Sequence, residues 1–426
     1  KMVLSDADFI AHEVMEYLKS VPGVSRVDTL GSLRRQVATI GDIDIGVATT
    51  KPEEVLTKFV SYPHQKLIEQ GPSGASLLLH NGRQVDLRVQ TPQAYGAMLQ
   101  YFTGSKNHNI KLRSLALEDG LSLNEYGIKD LKTKKLAKFD TEEALYEALR
   151  LPWIPPELRE DRGEIDAAKR GVLPDLVDLK DIRGDLHVHS NYNLESSHDV
   201  GANKIEEYLD EAVRLGYEYV GFSDHNPSVG NHSEKQIISI MKHRKDVYDR
   251  TKSKKHIQIF VMCEVDILPD GHLALPDQAF ECVDAVIVSI HSSFTQSKAQ
   301  MTKRVIFALT AHPKVRILGH PTGRLLGKRE GIELDWDKIF DVCKSHGIAL
   351  EINAHPARLD VPDSVAFTAR KEGVWFCINT DAHAVDQMQL MRYGVSVARR
   401  GWATKHDIVN ALGYNDFKTW LMKGAA

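Results

Sequence analysis

Between residues 185 and 383 short apolar runs recur, and each closes on a histidine or a carboxylate. They are DLHVHS (185–190), YVGFSDH (219–225), IFVMCEVD (259–266), AVIVSIH (285–291), RILGHP (316–321) and WFCINTDAH (375–383). Runs of this length, apolar on both faces and bounded by turns, predict buried parallel strands. Helical patterns fall between them, over 203–215, 233–252 and 297–311. Strand alternating with helix predicts βα units and a parallel sheet, most simply a barrel. Upstream, residues 1–150 mix a helix at about 6–19, strands, and a second helix at about 93–119. The stretch LPWIPPELREDRGEIDAAKRGVLPDLVDLKDIRG (151–184), rich in proline and charge, reads as an ordered linker.

Composition narrows this picture without changing it. A chain of 426 residues is long for one domain and suggests two or three. Its 42% hydrophobic and 26% charged residues are those of an ordinary globular protein. No apolar run approaches the roughly 18 residues of a membrane span, and KMVLSDADFI has no signal-peptide pattern, so a cytoplasmic, membrane-free protein is expected. Cys263, Cys282, Cys343 and Cys377 sit singly in apolar segments and predict buried, reduced thiols. The net charge of −4 speaks against a protein that coats itself in nucleic acid. It is weaker evidence against a nucleic-acid enzyme, whose metal-ligand carboxylates count as negative. Basic stretches occur at 129–138, 242–256 and 323–330, each by itself an ordinary solvated face.

The strand ends hold the chemistry. Period-two geometry turns His187 and His189 to one face of a strand, and Asp381 and His383 likewise. His225, Glu264, His291 and His320 close other runs, and Asp199 lies in the loop after the first pair. The C-terminal strand ends are where an α/β barrel builds its active site. Imidazole and carboxylate ligands suit zinc, manganese or magnesium. So many together predict a multi-metal hydrolytic centre, in which clustered cations acidify a water and clamp phosphate oxygens. In the first zone, GSLRRQVATIGDIDIGVA (31–48) sets Asp42 and Asp44 on one strand face, and Asp86 lies in QVDLRV (84–89) on an expected neighbour. Three such acids can hold two magnesium ions.

The motifs DLHVHS, SDH, Glu264, SIH, GHP and TDAH, spanning 185–425, resemble the PHP phosphoesterase domain. The resemblance implies a distorted β/α barrel that hydrolyses phosphoesters with up to three divalent metals (Zn2+, Mn2+, Mg2+ or Fe2+). Its metal ligands map to His187, His189, Asp199, His225, Glu264, His291, His320, Asp381 and His383. The usual S-D-G is replaced here by NYNLESSHDVG (191–201), which leaves Glu195 and His198 as alternatives to Asp199. Arg324, after GHP, is a candidate for holding flanking phosphates.

GSLRR, GDIDI, QVDLRV and YFTGSKNHNIKLR (101–113) together resemble the palm and thumb of family X DNA polymerases, over about residues 1–150. LPWIPPELRE is similar to the linker of bacterial members with a C-terminal PHP domain. The implied fold is α/β: an α+β nucleotidyltransferase palm (1–95), a small thumb (96–150), the linker (151–184) and the PHP barrel (185–426). In that pattern Asp42, Asp44 and Asp86 are catalytic and hold two Mg2+ (or Mn2+). Gly31, Ser32, Arg35 and Gly41 touch the triphosphate. Tyr101, Phe102 and Gly104 pack on the sugar, Asn109 reads the base edge, and Arg113 approaches the template. The resemblance implies DNA and deoxynucleoside triphosphates as partners, a monomer, and polymerase plus 3′→5′ exonuclease activity in DNA repair. Family members carry a helix-hairpin-helix and fingers region before the palm. The sequence starts almost at the palm, so weakened DNA grip is expected. A small-molecule phosphate monoesterase and a non-catalytic metal-binding DNA scaffold remain as alternatives.

Overall fold

The structure, a computed structural model, describes residues 1–252 and 257–423. It divides into a first unit, Lys1–Pro174, and a second that begins at Asp175. The last residues of the basic stretch 242–256 lie outside the described residues.

The first unit is built on a five-stranded sheet. In spatial order its strands are Val24–Thr29, Ile43–Thr49, Gln84–Gln90, Gly74–Leu78 and Lys66–Gly71. All neighbours are antiparallel except the pair Ile43–Thr49 and Gln84–Gln90, which runs parallel and sets Asp44 directly beside Asp86. Ile43, Ile45 and Val47 are fully buried, and that alternation aims Asp42 and Asp44 the opposite way. Helix Leu4–Lys19 buries Leu4, Ala7, Ala11, Val14 and Leu18, the three-and-four spacing of an amphipathic helix. Helix Tyr95–Thr103 shares a core with Leu30 and Ala48. Gly46 lies under that helix, where a Cβ would press on Met98 Cε at 2.7 Å and on Leu30 at 3.2 Å.

The single helix expected over about 93–119 is two helices, Tyr95–Thr103 and Lys106–Glu118. Gly104, at φ +69°, leaves the helical region, and Ser105 caps the second helix by accepting from the His108 amide at 3.3 Å. A small antiparallel sheet follows, Leu121–Asn124, Gly127–Asp130 and Leu136–Ala137. Of the stretch read as a linker, residues up to 174 fold into this unit. There the wholly buried Arg159 joins Glu142 at 2.6 Å.

The second unit is a parallel sheet of seven strands in sequence order: Gly184–Val188, Tyr219–Phe222, Gln258–Asp266, Ala285–Ser289, Val315–Leu318, Ala349–Asn353 and Phe376–Asn379. Its two edges meet through side chains and loops more than through a regular ladder. Asn379 Oδ1 accepts the Leu186 amide at 3.1 Å, Asp185 Oδ1 accepts the Thr380 amide at 3.2 Å, and the His189 amide donates to the Ala382 carbonyl at 2.9 Å. This polar closure is the physical content of a distorted barrel. One end is plugged by Leu186, Tyr219, Phe260, Met262 and Ile287 with Phe417 and Leu421 of helix Tyr414–Met422. The other end keeps the polar strand termini. All four cysteines are buried and free. Among the described residues no helix is long and apolar enough to cross a membrane.

Candidate metal centres

At the polar end of the barrel the strand termini converge. His187 and His189 lie on or just past the first strand, Glu264 in the third, His291 and His320 just past the fourth and fifth, and Asp381 and His383 past the seventh. His187, His189, Glu264 and Asp381 bring ligand atoms within 4.8 Å of one another; so do His189, His225 and His383, and so do Glu264, His291 and His320. Glu264 is the hub. One oxygen lies 3.2 Å from His187 Nε2 and 3.0 Å from His225 Nδ1, the other 2.9 Å from His320 Nε2 and 3.4 Å from His291 Nε2. Asp381 Oδ1 stands 3.2 Å from His189 Nε2 and 3.5 Å from His187 Nε2. His320 (φ +22°) and Asp381 (φ +55°) both have left-handed backbones, a strain that surrounding structure must hold and that clusters at functional sites.

A ring of acceptors behind the cluster fixes the rings. His187 Nδ1 donates to Glu351 Oε1 at 2.7 Å, His291 Nδ1 to Asp266 at 2.6 Å, and His383 Nδ1 to the Asp381 carbonyl at 3.0 Å. An imidazole that donates from Nδ1 keeps its Nε2 lone pair for a cation. Glu351 is itself held by Asn379 at 2.8 Å and by the His320 amide at 2.6 Å. Asp224 accepts from Ser190, Arg244 and Tyr248, which pins the loop before His225.

Several inward atoms find no hydrogen bond: His187 Nε2, both His189 nitrogens, His225 Nδ1, Glu264 Oε2, His320 Nδ1 and His383 Nε2. Buried polar atoms without partners are costly. Here Glu264 Oε2 faces His225 Nδ1 at 3.0 Å, His187 Nε2 at 3.2 Å and His189 Nε2 at 3.6 Å. That donor set fits divalent cations.

The electrostatics agree. Burial would lower His187, yet the Glu351, Glu264 and Asp381 carboxylates raise it well above the ordinary histidine range. Burial and then the neighbouring His225 lower His189 well below it. Burial works to raise Glu264 and Asp381, but histidines around each hold both well below the carboxylate range. Burial opposes protonation of His291, while Glu264 and Asp266 bring it up to about 10.

The loop after the first strand adds detail. Asp199 approaches His225 Nε2 at 3.8 Å and His383 Nε2 at 3.5 Å, although its side chain is 78% exposed. His198 sits deeper. It joins His225 and His291 with ligand atoms within 4.8 Å, and its Nε2 donates to Asp266 at 2.9 Å. Glu195 turns away to His232 at 2.8 Å. Arg324 directs its guanidinium at the carbonyls of Arg358 (2.8 Å) and Leu359, so it props the loop after the sixth strand.

In the first unit Asp42, Asp44 and Asp86 bring ligand oxygens within 4.8 Å of one another; Asp42 is exposed and Asp86 buried. Gly31 has to be glycine: at φ +55°, a Cβ would lie 2.2 Å from Asp44 Oδ2. The turn therefore sits against the acid, with Ser32 half-buried beside it. Burial, reinforced by the Asp42 and Asp86 charges, pushes Asp44 up to about 7. Asp86 accepts from Gln84 Nε2 at 3.0 Å.

The remaining candidates lie near by but are tied to protein groups. Arg35 Nε donates to Glu160 at 3.0 Å and its Nη1 to the Thr103 carbonyl. Tyr101 and Phe102 pack edge-on at 5.1 Å, under the Arg88 guanidinium at 5.2 Å from the Phe102 ring. Asn109 donates to the Tyr101 carbonyl at 2.7 Å and accepts from Gln100 at 2.8 Å. Gly41 and Arg113 are exposed, and Gly104 lies against Arg35. One group missed in the sequence is Arg34, which grips Glu142 at 2.7 Å and Thr103 Oγ1 at 2.6 Å, fastening the GSLRR turn to the YFTGS segment.

Comparison with known proteins agrees with this division. The DNA polymerase beta thumb family model matches residues 98–160, and the PHP domain model matches 185–355. The DNA polymerase/3'-5' exonuclease PolX of Bacillus subtilis (strain 168) is 35% identical over 417 residues, 97% of this chain and 72% of that protein. Two solved structures of Leishmania infantum polymerase beta, a ternary P/T complex and a ternary gap complex, align at 22% and 20% identity. They cover 38% of this chain and 77% and 71% of theirs, with TM-scores of 0.34 and 0.33.

Proposed function

This chain belongs to the family X DNA polymerases that carry a PHP domain, and we propose that its two centres divide the work on a DNA 3′ end. The first unit extends the end as a DNA polymerase, and the barrel shortens it as a metal-dependent 3′→5′ exonuclease, a pairing suited to DNA repair. The observation that carries the barrel's half is the set of unpartnered, buried imidazole nitrogens converging on Glu264 and Asp381.

His187, His189, His225, Glu264, His291, His320, Asp381 and His383 would hold up to three divalent ions, zinc, manganese or iron among them, with Asp199 or His198 completing the loop side. Such ions supply an acidified water and positive charge against the phosphate oxygens. The chain's own contribution is placement. Glu351 and Asp266 hold rings by hydrogen bonds from one nitrogen, which fixes the tautomer and the direction of the other. The buried walls exclude bulk water and strengthen every charge interaction at the scissile phosphate. Hydrolysis joins a water oxygen to phosphorus, and the bond to the terminal 3′ oxygen of the shortened strand breaks as that oxygen takes a proton.

In the palm, Asp42, Asp44 and Asp86 would share two magnesium ions with the triphosphate of an incoming deoxynucleotide. Carboxylates alone, half-exposed, suit a cation that keeps waters and arrives with phosphate. Ser32 and the amides of the Gly31 turn would donate to its triphosphate oxygens.

A labelled primer-template, incubated with magnesium, manganese or zinc and with or without deoxynucleotides, tests the reading. Lengthened primers with nucleotides and shortened ones without support it. A protein that acts on small phosphate monoesters and leaves the primer intact would reject it.

A further inference from the structure

We propose that Arg358 is the group on this chain that grips the scissile phosphate beside the barrel's metal ligands. The proposal rests on the exonuclease reading above and names a part of the site that the ligand pattern does not include.

Arg358 lies on the loop after strand Ala349–Asn353, at the polar end of the barrel, with Nε 3.6 Å from Asp381 Oδ2. Its Nη1 is buried and has no hydrogen-bond partner, although the side chain as a whole keeps 19% of its surface exposed; Asp381 is its ion-pair partner, and the buried Asp360 carboxylate acts on it at longer range. Asp381 is shared: its Oδ2 also accepts from Asn353 at 3.1 Å and its Oδ1 faces His187 and His189. The buried arginines of this unit are placed differently. Arg244 is saturated by Asp224 and the Met262 and Phe222 carbonyls, Arg304 reaches the Leu268 and Ser292 carbonyls, and Arg316, whose Nε is also unpartnered, donates to the Trp420 carbonyl at the apolar end. A buried guanidinium N–H left without an acceptor is costly, and an anionic ligand would offset that cost.

The backbone beneath Arg358 is fixed for a purpose. Its carbonyl accepts from Arg324 Nε at 2.8 Å, its amide donates to the His355 carbonyl at 2.8 Å, and Asn353 and Asp360 pair across the base of the loop. Arg324, expected from the sequence to touch phosphate, is thus a strut that presents another arginine. Two N–H groups of a planar guanidinium match two non-bridging oxygens of a phosphodiester, and their attraction grows as charge accumulates on those oxygens.

The test uses the full chain loaded with manganese, in wild-type form and as Arg358→Ala and Arg358→Lys. Three readouts are taken: bound metal by elemental analysis, calorimetric binding of inorganic phosphate, and digestion of a single-stranded oligonucleotide. Metal content should be unchanged. Phosphate binding should weaken roughly tenfold or more in Arg358→Ala, and kcat/KM should fall by roughly 10²-fold, with partial recovery in Arg358→Lys. Wild-type phosphate binding and digestion in Arg358→Ala would overturn the proposal, as would loss of metal in step with activity, which would make Arg358 a prop for Asp381. If the wild-type protein bound phosphate through Arg358 but released no nucleotides, the exonuclease reading would fail while the phosphate assignment stood.

Discussion

The barrel and palm centres both place acids at the ends or along the faces of parallel strands, yet they are built for different tenancies. In the barrel, imidazoles outnumber carboxylates, and His187, His189, Glu264 and His320 are almost fully buried. Several rings of the cluster have a fixed partner behind them, Glu351 for His187 and Asp266 for His291. In the palm three carboxylates stand alone, one exposed, with Asp44 pushed up to about 7. A buried, imidazole-rich cage that is costly when empty should keep its metal. An open carboxylate site in which Asp44 takes up a proton near neutrality should gain metal only with its substrate. The difference teaches that ligand count matters less than what stands behind the ligands.

The sharpest way to break this contrast is Glu264→Gln. Glu264 is shared among five histidines, so the change should strip the barrel of metal that survives dialysis and lower digestion by roughly 10³-fold, leaving extension intact. Elemental analysis and paired assays check it; retained metal would dissolve the idea of a hub. Next, Glu351→Gln should weaken barrel metal affinity by about 10–100-fold, read by competition with a chelator, because His187 loses its charged anchor.

The palm side is tested through pH. The folded-state pKa of Asp44 lies above its ordinary 3.8, so between about pH 4 and 7 the folded protein binds a proton that the unfolded chain does not. That contribution is present at low pH and lost as pH rises through 7. Asp44→Asn should therefore melt later than wild type in chelator at pH 8, by roughly 1–3 kcal/mol, with the gap closing toward pH 4. Equal melting at both pH values would mean Asp44 is an ordinary carboxylate. The smallest effect concerns the loop: His198→Ala should weaken barrel metal retention more than Asp199→Ala, since His198 is backed by Asp266 and Asp199 is mostly exposed.

Much of this was legible because strands announce themselves by apolar runs, and a residue that closes such a run must point into the barrel mouth. His187, His225, Glu264 and Asp381 follow from that rule. Glu351 escaped it, since it sits within the strand Ala349–Asn353 and its role is visible only once His187 is across from it. The run IALEIN (348–353) carried the signal: a lone acid in a fully apolar strand. The apolar spacing over 93–119 predicts one helix where there are two, because Gly104 and Ser105 break the backbone without breaking that spacing. Arg34 and Arg35 illustrate the remaining limit. Adjacent arginines look alike in sequence, and only tertiary placement gives one to Glu142 and Thr103 and the other to Glu160.

The separation of the two centres is the central claim, and one matched pair of variants tests it most directly. Asp42→Ala and His187→Ala are assayed on the same labelled primer-template, with and without deoxynucleotides, after confirming that both melt like the wild type. Asp42→Ala should lose extension and keep digestion, and His187→Ala should lose digestion and keep extension. Loss of both activities in either well-folded variant would contradict the account.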